Sequence, residues 1–269
     1  MKEENFYKEK VVLVTGSTMG IGKEVARQLL LLGSKVVITG RTMERLEKVE
    51  HEFSEWKENI LILQSDVCRY SDNEEMIGKV IQKFERLDIV ITNAGLSCYG
   101  EVDVMKADVA KEVIDTNIYG SLYPVKAAIP ELKKTKGSVL LVSSIAGFHG
   151  LPGYSAYSLS KMALKALAQS LSLELNESKV SVGIAFVGFT ENEKDKKTLA
   201  PNGEWQEVPK RSSYLTVSRT TTAIKLLNQI QGKKFSKTHS FVGKFTELMI
   251  RFFPTLPSKI FKWNYIRRN

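Results

Sequence analysis

The sequence predicts an α/β fold, a three-layer αβα sandwich built on a doubly wound parallel sheet of about seven strands. The first observation is a regular alternation of short apolar runs with segments whose apolar residues recur every three or four positions. The second is turn chemistry, because Gly, Pro, Asn and Asp lie between these segments. The third is composition: 43% hydrophobic and 26% charged residues suit one large domain over residues 1–269.

Six apolar runs predict the buried strands of this sheet, since parallel strands covered on both faces are apolar throughout. They occupy residues 11–16, 35–39, 60–64, 88–93, 138–143 and 180–186. After the first run, Val25 and Leu29 recur at helical spacing before Gly33, which predicts an amphipathic helix that ends there. Two long helical stretches are predicted at roughly 104–133 and 154–176.

Residues 187–209 interrupt this alternation with a polar and charged segment that contains proline and glycine. The composition predicts a long loop or a loosely helical excursion. Loops of this length in a compact domain usually serve as functional lids or are disordered. We therefore expect residues 187–209 to act as a substrate lid.

Cysteine content and the N-terminal residues bear on the compartment. The two cysteines, Cys68 and Cys98, argue against a disulfide framework and fit a reducing compartment. Residues 1–10 are charged and lack the apolar core of a secretory signal. No apolar run approaches the ~18 residues of a membrane span. We expect a cytoplasmic protein, and the sequence predicts no metal site.

The net charge of +9 is concentrated at the C-terminus. Residues 233–269 hold nine lysines and arginines against a single acid, Glu247, together with eight aromatic residues. The rest of the chain is almost neutral. An asymmetry of this kind predicts a surface partner for the basic aromatic extension, residues 233–269.

Four apolar residues of this extension fall on one face of a predicted helix. They are Phe241, Phe245, Leu248 and Phe252, and Pro254 and Pro257 are predicted to break the helix. Three interpretations stay open: a helix folded over the substrate cleft or sheet edge, a peripheral anchor on an anionic membrane surface, and an oligomer contact. Nucleic-acid binding is not expected, because the sequence contains no recognition fold.

A glycine-rich segment, TGSTMGIG at 15–22, joins the first strand to the first helix. Gly16 permits a tight turn, and Gly20 and Gly22 leave room for a pyrophosphate to approach the backbone N–H groups of the helix N-terminus. The spacing, G-x-x-x-G-x-G, differs from the common G-x-G-x-x-G. A glycine turn without a ligand is the alternative, but the position after the first strand of an alternating α/β chain favours a dinucleotide.

Residues at the ends of the next strands predict how a dinucleotide is held. Arg41 follows the second strand, where an acid would bind the ribose 2′-hydroxyl of NAD and an arginine would bind a 2′-phosphate. The first acid after this strand is Glu44, so the pattern favours NADP over NAD. Asp66 ends the third strand, where it can bond the adenine amino group. Two small residues within 92–95 let the backbone lie close to a flat ring.

Five motifs occur together and in order along the chain. They are the glycine-rich segment 15–22, Asn93-Ala94-Gly95, Asn117, Ser144 and Tyr157-x-x-x-Lys161. In this order and spacing they resemble the short-chain dehydrogenase/reductase family, over about residues 8–232. The resemblance implies a single Rossmann-type domain that binds a nicotinamide dinucleotide. It also implies a homodimer or homotetramer that pairs subunits through the two long helices.

The resemblance also assigns catalytic roles. Tyr157 matches the acid/base that exchanges a proton with the substrate oxygen, and Lys161 lies one helical turn further on. An ammonium nearby favours the phenolate of the tyrosine, and the same lysine would hold the nicotinamide ribose. Ser144 matches the serine that hydrogen-bonds the substrate oxygen, and Asn117 matches the asparagine that holds a water of the proton relay. Tyr154 is not a candidate, because position 158 carries a serine in place of the lysine.

The family's cofactor site matches residues at the ends of several predicted strands. These residues are Gly16, Thr18, Met19, Gly20, Ile21, Gly22, Arg41, Asp66, Val67, Asn93, Ala94, Gly95, Tyr157, Lys161, Gly188 and Thr190. The family usually has Pro-Gly after the sixth strand, and Val187 replaces that proline here. Ser143 is less favoured than its neighbour Ser144, because alternation along a strand turns it to the opposite face.

Together these features predict an NADP(H)-dependent oxidoreductase, a carbonyl reductase that interconverts a carbonyl and a secondary alcohol on a small-molecule substrate. NAD(H) is the second choice of cofactor. The lid and the basic aromatic extension favour a hydrophobic or lipid-like substrate and a peripheral membrane contact. Two alternatives stay open: a 3-oxoacyl thioester reductase, which shares these motifs, and a non-catalytic dinucleotide-sensing or scaffold protein.

Overall fold

A seven-stranded parallel sheet forms the centre of the protein in the computed structural model, which describes residues 6–193, 196–209, 216–253 and 255–266. The strands are β1 (Val11–Val14), β2 (Lys35–Gly40), β3 (Ile60–Gln64), β4 (Ile89–Thr92), β5 (Ser138–Ser144), β6 (Ser181–Val187), β7 (Lys197–Leu199), β8 (Trp205–Glu207) and β9 (Ser236–Thr238). The sheet has the order β3-β2-β1-β4-β5-β6-β9, and β7 and β8 lie outside it. The predicted doubly wound parallel sheet is confirmed.

Helices cover both faces of the sheet, which is why its central strands are buried along their whole length. The helices are α1 (Gly20–Leu31), α2 (Met43–Glu52), α3 (Tyr70–Phe84), α4 (Ala107–Ile114), α5 (Gly120–Thr135), α6 (Ser155–Glu174), α7 (Arg219–Gln231), α8 (Phe241–Phe252) and α9 (Leu256–Ile266). One buried core contains residues of α1, α2 and α7, and a second contains residues of α3, α5 and α6. The predicted three-layer αβα sandwich is therefore confirmed.

The first of the two long predicted helical stretches, 104–133, is divided in the structure. A single π turn at Asp115–Tyr119 follows α4 and leads directly into α5. π turns are rare and concentrate at functional sites. Asn117 lies in this one, so the irregularity bears on a predicted site residue. The second stretch, 154–176, corresponds closely to α6.

Residues 187–209 contain a β-hairpin, so the helical alternative predicted for this segment is wrong. β7 pairs antiparallel with β8, and Leu199 also forms a bridge with Cys98 in the loop after β4. Thr198 and Leu199 are buried at this contact. Tertiary packing therefore holds the hairpin in place. The polar composition of the segment does not predict such packing.

The extension 233–269 begins inside the sheet rather than outside it. Ser236–Thr238 pairs with β6 as the seventh strand, which was not among the six predicted runs because it is short and polar. The predicted amphipathic helix is confirmed as α8. The helix ends at Phe252, ahead of the prolines, as predicted. Pro257 lies in the first turn of the next helix, α9, where its missing N–H needs no partner. Pro254 lies outside the described residues.

Candidate active site

A cavity of about 690 Å³ opens at the carboxyl ends of the parallel strands. Open α/β sheets bind their ligands at this edge. The cavity is lined by the segments that follow β1 to β6 and by the start of α6. Every residue predicted from sequence for catalysis or cofactor binding lines it, except Gly22 and Asn117. The strand ends therefore bring together motifs that are far apart in the chain.

The glycine-rich segment after β1 has two glycines in the left-handed backbone region. Gly16 has φ 61° and lies against the loop after β4, since a Cβ atom there would come within 2.7 Å of the Cα atom of Ala94. Gly20 has φ 60°, and no atom lies within 4 Å of the place its Cβ atom would take. Gly20 therefore leaves open space at the N-terminus of α1.

Gly22 leaves room for a protein side chain. A Cβ atom at this position would overlap both the side-chain nitrogen of Asn93 and the carbonyl oxygen of Gly16. Asn93 uses the room to donate hydrogen bonds to the carbonyl oxygens of Thr15 and Gly16, at 3.1 and 3.0 Å. These bonds tie the end of β4 to the glycine-rich segment. The space that Gly22 leaves is thus filled by Asn93 and is not part of the cavity surface.

A carboxylate from the 187–209 segment lies at the N-terminus of α1. Glu193 Oε1 accepts the backbone N–H of Gly20 at 2.9 Å and lies 2.5 Å from Arg219 Nη1. The ammonium of Lys23 is 3.8 Å from the same oxygen. The positive end of the helix dipole and these two cations stabilise an anion here. Glu193 was not among the residues predicted from sequence, because acidic residues are frequent in this segment.

Two arginines line the part of the cavity that follows β2. Arg41 is exposed, and its carbonyl oxygen accepts a hydrogen bond from Gln64 at 2.9 Å. Arg45 lies in α2 and its guanidinium contacts the Sδ atom of Met19 in the glycine-rich segment, at 3.3 Å. Of these two arginines, only Arg41 was predicted from sequence. The spacing of four residues at the start of a predicted helix was the signal that could have revealed Arg45.

Asp66 and Val67 follow β3 and both line the cavity. The Oδ1 atom of Asp66 accepts the backbone N–H of Cys68 at 3.0 Å, which fixes the carboxylate in a local turn. Val67 is buried against Gly120, where a Cβ atom would come within 2.7 Å of the valine side chain. Close packing at the start of α5 therefore holds this wall of the cavity.

Tyr157 and Lys161 lie one turn apart on α6, and both line the cavity. The ammonium nitrogen of Lys161 lies 5.9 Å from the centroid of the Tyr157 ring and donates to the carbonyl oxygen of Val142 at 3.0 Å. The lysine is only 5% exposed. Burial, with a smaller contribution from Lys196, lowers the pKa of Lys161 to about 8. Any further oxygen that enters the cavity beside this ammonium would stabilise its charged form.

Ser143 and Ser144 end β5 and make different contacts. The buried hydroxyl of Ser143 donates to the carbonyl oxygen of Lys161 at 2.9 Å. The hydroxyl oxygen of Ser144 accepts the backbone N–H of Ala146 at 3.2 Å, in the turn that follows the strand. A hydroxyl oxygen that accepts still carries a proton to donate. Ser144 is therefore equipped to donate to a ligand oxygen, whereas the proton of Ser143 is used within the protein.

Asn117 is buried in the π turn, just behind the cavity wall. Its side-chain oxygen accepts the backbone N–H of Leu96 at 2.8 Å. Its side-chain nitrogen donates to the Leu96 carbonyl at 2.9 Å and to the Ser160 hydroxyl at 2.8 Å. Ser160 in turn donates to the carbonyl oxygen of Tyr157 at 2.7 Å. The side chain thus joins the loop after β4 to α6, and its role in holding a water stays a prediction.

Gly188 and Thr190 line the cavity after β6. A Cβ atom on Gly188 would overlap the hydroxyl of Ser240, the residue that caps the N-terminus of α8. Thr190 is buried, and its hydroxyl lies 3.4 Å from the Gly188 carbonyl and from the hydroxyl of Thr222. The end of β6 is therefore packed directly against the start of α8.

Apolar and aromatic side chains from the loops after β4 and β5 and from the 187–209 segment complete the lining. They include Leu96, Tyr99, Ile145, Leu151, Phe189 and Val208. The ring centroids of Tyr99 and Tyr154 lie 5.0 Å apart, and those of Tyr154 and Tyr157 lie 6.4 Å apart. These side chains were not predicted from sequence, because irregular loops carry no periodic apolar pattern. The cavity thus combines a polar end at α1 with an apolar lining contributed by these loops.

The chain is similar to known proteins in both sequence and structure. A family model described as short chain dehydrogenase matches residues 10–202. The protein named 11-beta-hydroxysteroid dehydrogenase-like 4A from Arabidopsis thaliana is 33% identical over 216 residues, which are 77% of this chain and 70% of that protein. A 3-dehydrosphinganine reductase from Danio rerio is 33% identical over 197 residues, which are 69% of this chain and 59% of the relative. A solved structure described as ElxO with NADP bound matches with a TM-score of 0.76 and 27% sequence identity. The match covers 86% of this chain and 97% of the ElxO chain.

Proposed function

The chain belongs to the short-chain dehydrogenase family, and on this basis we propose that it is an NADP(H)-dependent oxidoreductase that interconverts a carbonyl and a secondary alcohol. One observation carries the proposal: Tyr157, Ser144 and Lys161 line the same cavity as the glycine-rich segment before α1. A phenol, a hydroxyl and a buried ammonium then face the space beside a dinucleotide site. A scaffold protein that never turns over a substrate would have no need of this combination.

The residues at the α1 end of the cavity fit a dinucleotide. The N–H of Gly20 binds the carboxylate of Glu193, so this amide is already oriented toward an anion. Arg41 and Arg45 would bind the 2′-phosphate of NADP, and Asp66 would bond the adenine amino group. The solved structure described as ElxO with NADP bound supports a nicotinamide dinucleotide at this site. NAD(H) is the second choice of cofactor.

The chain's own residues would carry the proton and hold the substrate. Bound NADPH supplies the hydride. Tyr157 donates its phenolic proton to the carbonyl oxygen during reduction and takes a proton back during oxidation. Ser144 donates a hydrogen bond to the same oxygen, and the ammonium of Lys161 favours the phenolate that remains. Asn117 acts as a positioning residue, because its side chain holds the loop after β4 against α6.

We propose a hydrophobic or lipid-like substrate. The loops that line the cavity contribute apolar and aromatic side chains, among them Leu151, Phe189 and Val208. Pockets with this lining gain most of their binding free energy from apolar surface that is removed from water. The names of two relatives refer to a hydroxysteroid and to 3-dehydrosphinganine, which supports the same class.

The assembly and location belong to the same proposal. The chain would act as a single oxidoreductase domain in which residues 187–209 serve as the lid, and α5 and α6 would pair subunits into a homodimer or homotetramer. Leu159, Met162 and Leu173 support this, since they are exposed on one face of α6. The extension 233–269 would make a peripheral membrane contact from the cytoplasm.

A nucleotide titration followed by a substrate panel tests this function. Intrinsic fluorescence would be titrated with NADPH and NADH, and reductase rates measured on small polar, long-chain and polycyclic ketones and on an acetoacetyl thioester. We expect NADPH to bind at least tenfold more tightly, about 1.4 kcal/mol, and hydrophobic ketones to react fastest. A clear preference for the thioester would replace the lipid substrate with a 3-oxoacyl one. Failure to bind either nucleotide would overturn the proposal.

A further inference from the structure

Helix α8 presents an apolar stripe to solvent. Phe241, Phe245, Leu248 and Phe252 are each 55–86% exposed. At about 100° per residue, the four side chains fall within an arc of about 60° on the helix surface. The opposite face is packed, since Gly243 lies against Ile145 so closely that a Cβ atom would come within 2.8 Å of it. Single exposed apolar residues are normal, but a contiguous group of this kind marks an interaction surface.

The exposed charges beside the stripe are basic. Lys244 and Arg251 are exposed along one flank of α8, and α9 adds two exposed lysines next to Leu256 and Ile260. The acid of α8, Glu247, is partly buried, where its carboxylate accepts a hydrogen bond from a threonine of β9 at 2.6 Å. The outward face of α8 and α9 is therefore apolar and cationic over the residues that the structure describes.

Helices α8 and α9 contact segments that form the cavity wall. Ser240, which caps α8, packs against Gly188 on the cavity wall. The hydroxyl of Ser258 in α9 lies 2.9 Å from Nε2 of His149, in the loop after β5. The segments around Gly188 and His149 both contribute to the cavity lining. Among the described residues, none of α8 or α9 lines the cavity, so these helices adjoin its wall from the outside.

We propose that α8 and α9 dock on an anionic lipid bilayer and hold the mouth of the cavity at its surface, so that a hydrophobic substrate enters from the lipid. The substrate part rests on the proposed function. Amphipathic helices with aromatic and basic residues in this arrangement lie at the headgroup level. Lysines and arginines near anionic lipid are attracted by its negative surface potential. None of the described helices is long and apolar enough to cross a membrane.

A second copy of the chain is the competing occupant of this surface. A two-fold contact through the stripe would place the same surface on both partners. The cations Lys244 and Arg251 of two α8 helices would then face one another across a small interface, where like charges repel. An anionic bilayer offers the complementary charge. Charge complementarity therefore favours the bilayer.

Vesicle co-sedimentation tests the docking without a catalytic readout. The protein would be mixed with phosphatidylcholine vesicles prepared with or without phosphatidylserine, at low and at high salt. We expect binding to the anionic vesicles to be at least tenfold tighter and to weaken with salt, because surface charges are screened. Equal binding to the two kinds of vesicle would overturn the proposal.

Paired variants separate the apolar and the charged contributions. Phe245→Ser combined with Phe252→Ser should weaken binding to anionic vesicles at least tenfold. Lys244→Gln combined with Arg251→Gln should reduce the preference for anionic lipid, because the two exposed lysines of α9 remain. Leu31→Ser is the matched control, because Leu31 is 56% exposed on α1, away from the stripe. If the phenylalanine variant binds vesicles as well as this control does, the stripe is not the docking surface.

Two further measurements keep the docking and the reaction distinguishable. In the phenylalanine variant, NADPH binding and turnover of a water-soluble ketone should be unchanged, whereas turnover of a ketone embedded in anionic vesicles should fall about tenfold. If the unmodified protein binds vesicles but reduces neither ketone, the docking stands and the proposed function fails. If the phenylalanine variant instead shifts to smaller species in sedimentation velocity, the stripe binds a second copy and the docking proposal is overturned.

Discussion

The carboxylate of Glu193 accepts the backbone N–H of Gly20 at 2.9 Å, at the point where α1 begins. Arg219 lies 2.5 Å from the same carboxylate oxygen. A dinucleotide that uses this helix N-terminus must displace the carboxylate, since both are anions on one donor. We therefore expect Glu193 to compete with the pyrophosphate and to release Arg219 toward the phosphates when it leaves.

Replacing this carboxylate by an amide tests the competition. We expect Glu193→Gln to bind NADPH three- to tenfold more tightly, because a neutral amide is a weaker acceptor at the positive end of a helix. A fluorescence titration measures the Kd. Glu207→Gln, an exposed position on β8, should leave the Kd unchanged. Weaker binding by Glu193→Gln would mean that the carboxylate supports the nucleotide site instead of competing for it.

The two arginines near the glycine-rich segment predict cofactor preference. Arg41→Gln and Arg45→Gln should each raise the Kd for NADPH about tenfold, since each removes a cation that would bind the 2′-phosphate. Binding of NADH, which lacks this phosphate, should not change. Lys48→Gln, exposed on α2, is the control. An equal loss of both nucleotides would assign the arginines to folding of the segment rather than to the phosphate.

The two tyrosines at the N-terminus of α6, Tyr154 and Tyr157, are expected to differ sharply in their effect on activity. Tyr157→Phe should lower kcat by a factor of ~10² to 10⁴, the usual contribution of a positioned acid or base, and leave NADPH binding intact. Tyr154→Phe should retain most activity, because the tyrosine ring, which packs on Tyr99, is preserved as phenylalanine. Single-turnover reduction of a ketone with bound NADPH measures the activity of both variants. Similar losses in the two variants would reject Tyr157 as the proton donor.

Burial of Lys161 predicts how stability depends on pH. Its pKa is lowered from 10.5 to about 8 in the folded protein. Below pH ~8 the charged form is disfavoured in the folded state by up to about 3 kcal/mol, at about 1.4 kcal/mol per pKa unit. Between about pH 8 and about pH 10.5, Lys161 is protonated in the unfolded chain but not in the folded protein. The cost therefore disappears gradually as pH rises through this range. Lys161→Met should therefore be more stable than the unmodified protein at neutral pH, and the difference should shrink as pH rises.

Urea unfolding of the nucleotide-free protein at about pH 7 and about pH 9.5 measures this difference. Lys165→Met, exposed one turn further along α6, is the matched control and should show no such trend. Lys161→Met also loses the hydrogen bond to the carbonyl oxygen of Val142. This loss lowers the stability of the variant by a similar amount at both pH values, so it does not change the trend with pH. A stability difference between Lys161→Met and the unmodified protein that stays constant with pH would contradict the buried ammonium.

The sheet was predictable because each buried parallel strand is an apolar run, as in Val11–Val14. The exception was Ser236–Thr238, whose first two residues are exposed and polar. These three residues form a strand only because β6 offers a free edge. Likewise, the hairpin within 187–209 depends on burial of Leu199 against the loop after β4. Contacts of this kind are set by the tertiary path of the chain and leave no local pattern.

The residues of the candidate site likewise fall into those that could be predicted from sequence and those that could not. Residues at or just after the end of a strand, such as Ser144 and Asp66, were predictable because parallel strands end at one edge of the sheet. Arg45 and Glu193 were missed, since one projects from a helix and the other returns from a distant segment. Asn117 was identified from sequence, but its π turn was not, because the residues there differ little from those of an ordinary helix.

The π turn at Asp115–Tyr119 makes this region sensitive to the number of residues in it as well as to their identity. Each residue in an α-helix advances the chain by about 100°, so removal of one residue here would restore regular hydrogen bonding and rotate α5 by about that angle relative to α4. Asn117 would then turn away from Leu96 and Ser160. A one-residue deletion that made the helix more regular would thus disconnect the loop after β4 from the helix that carries Tyr157.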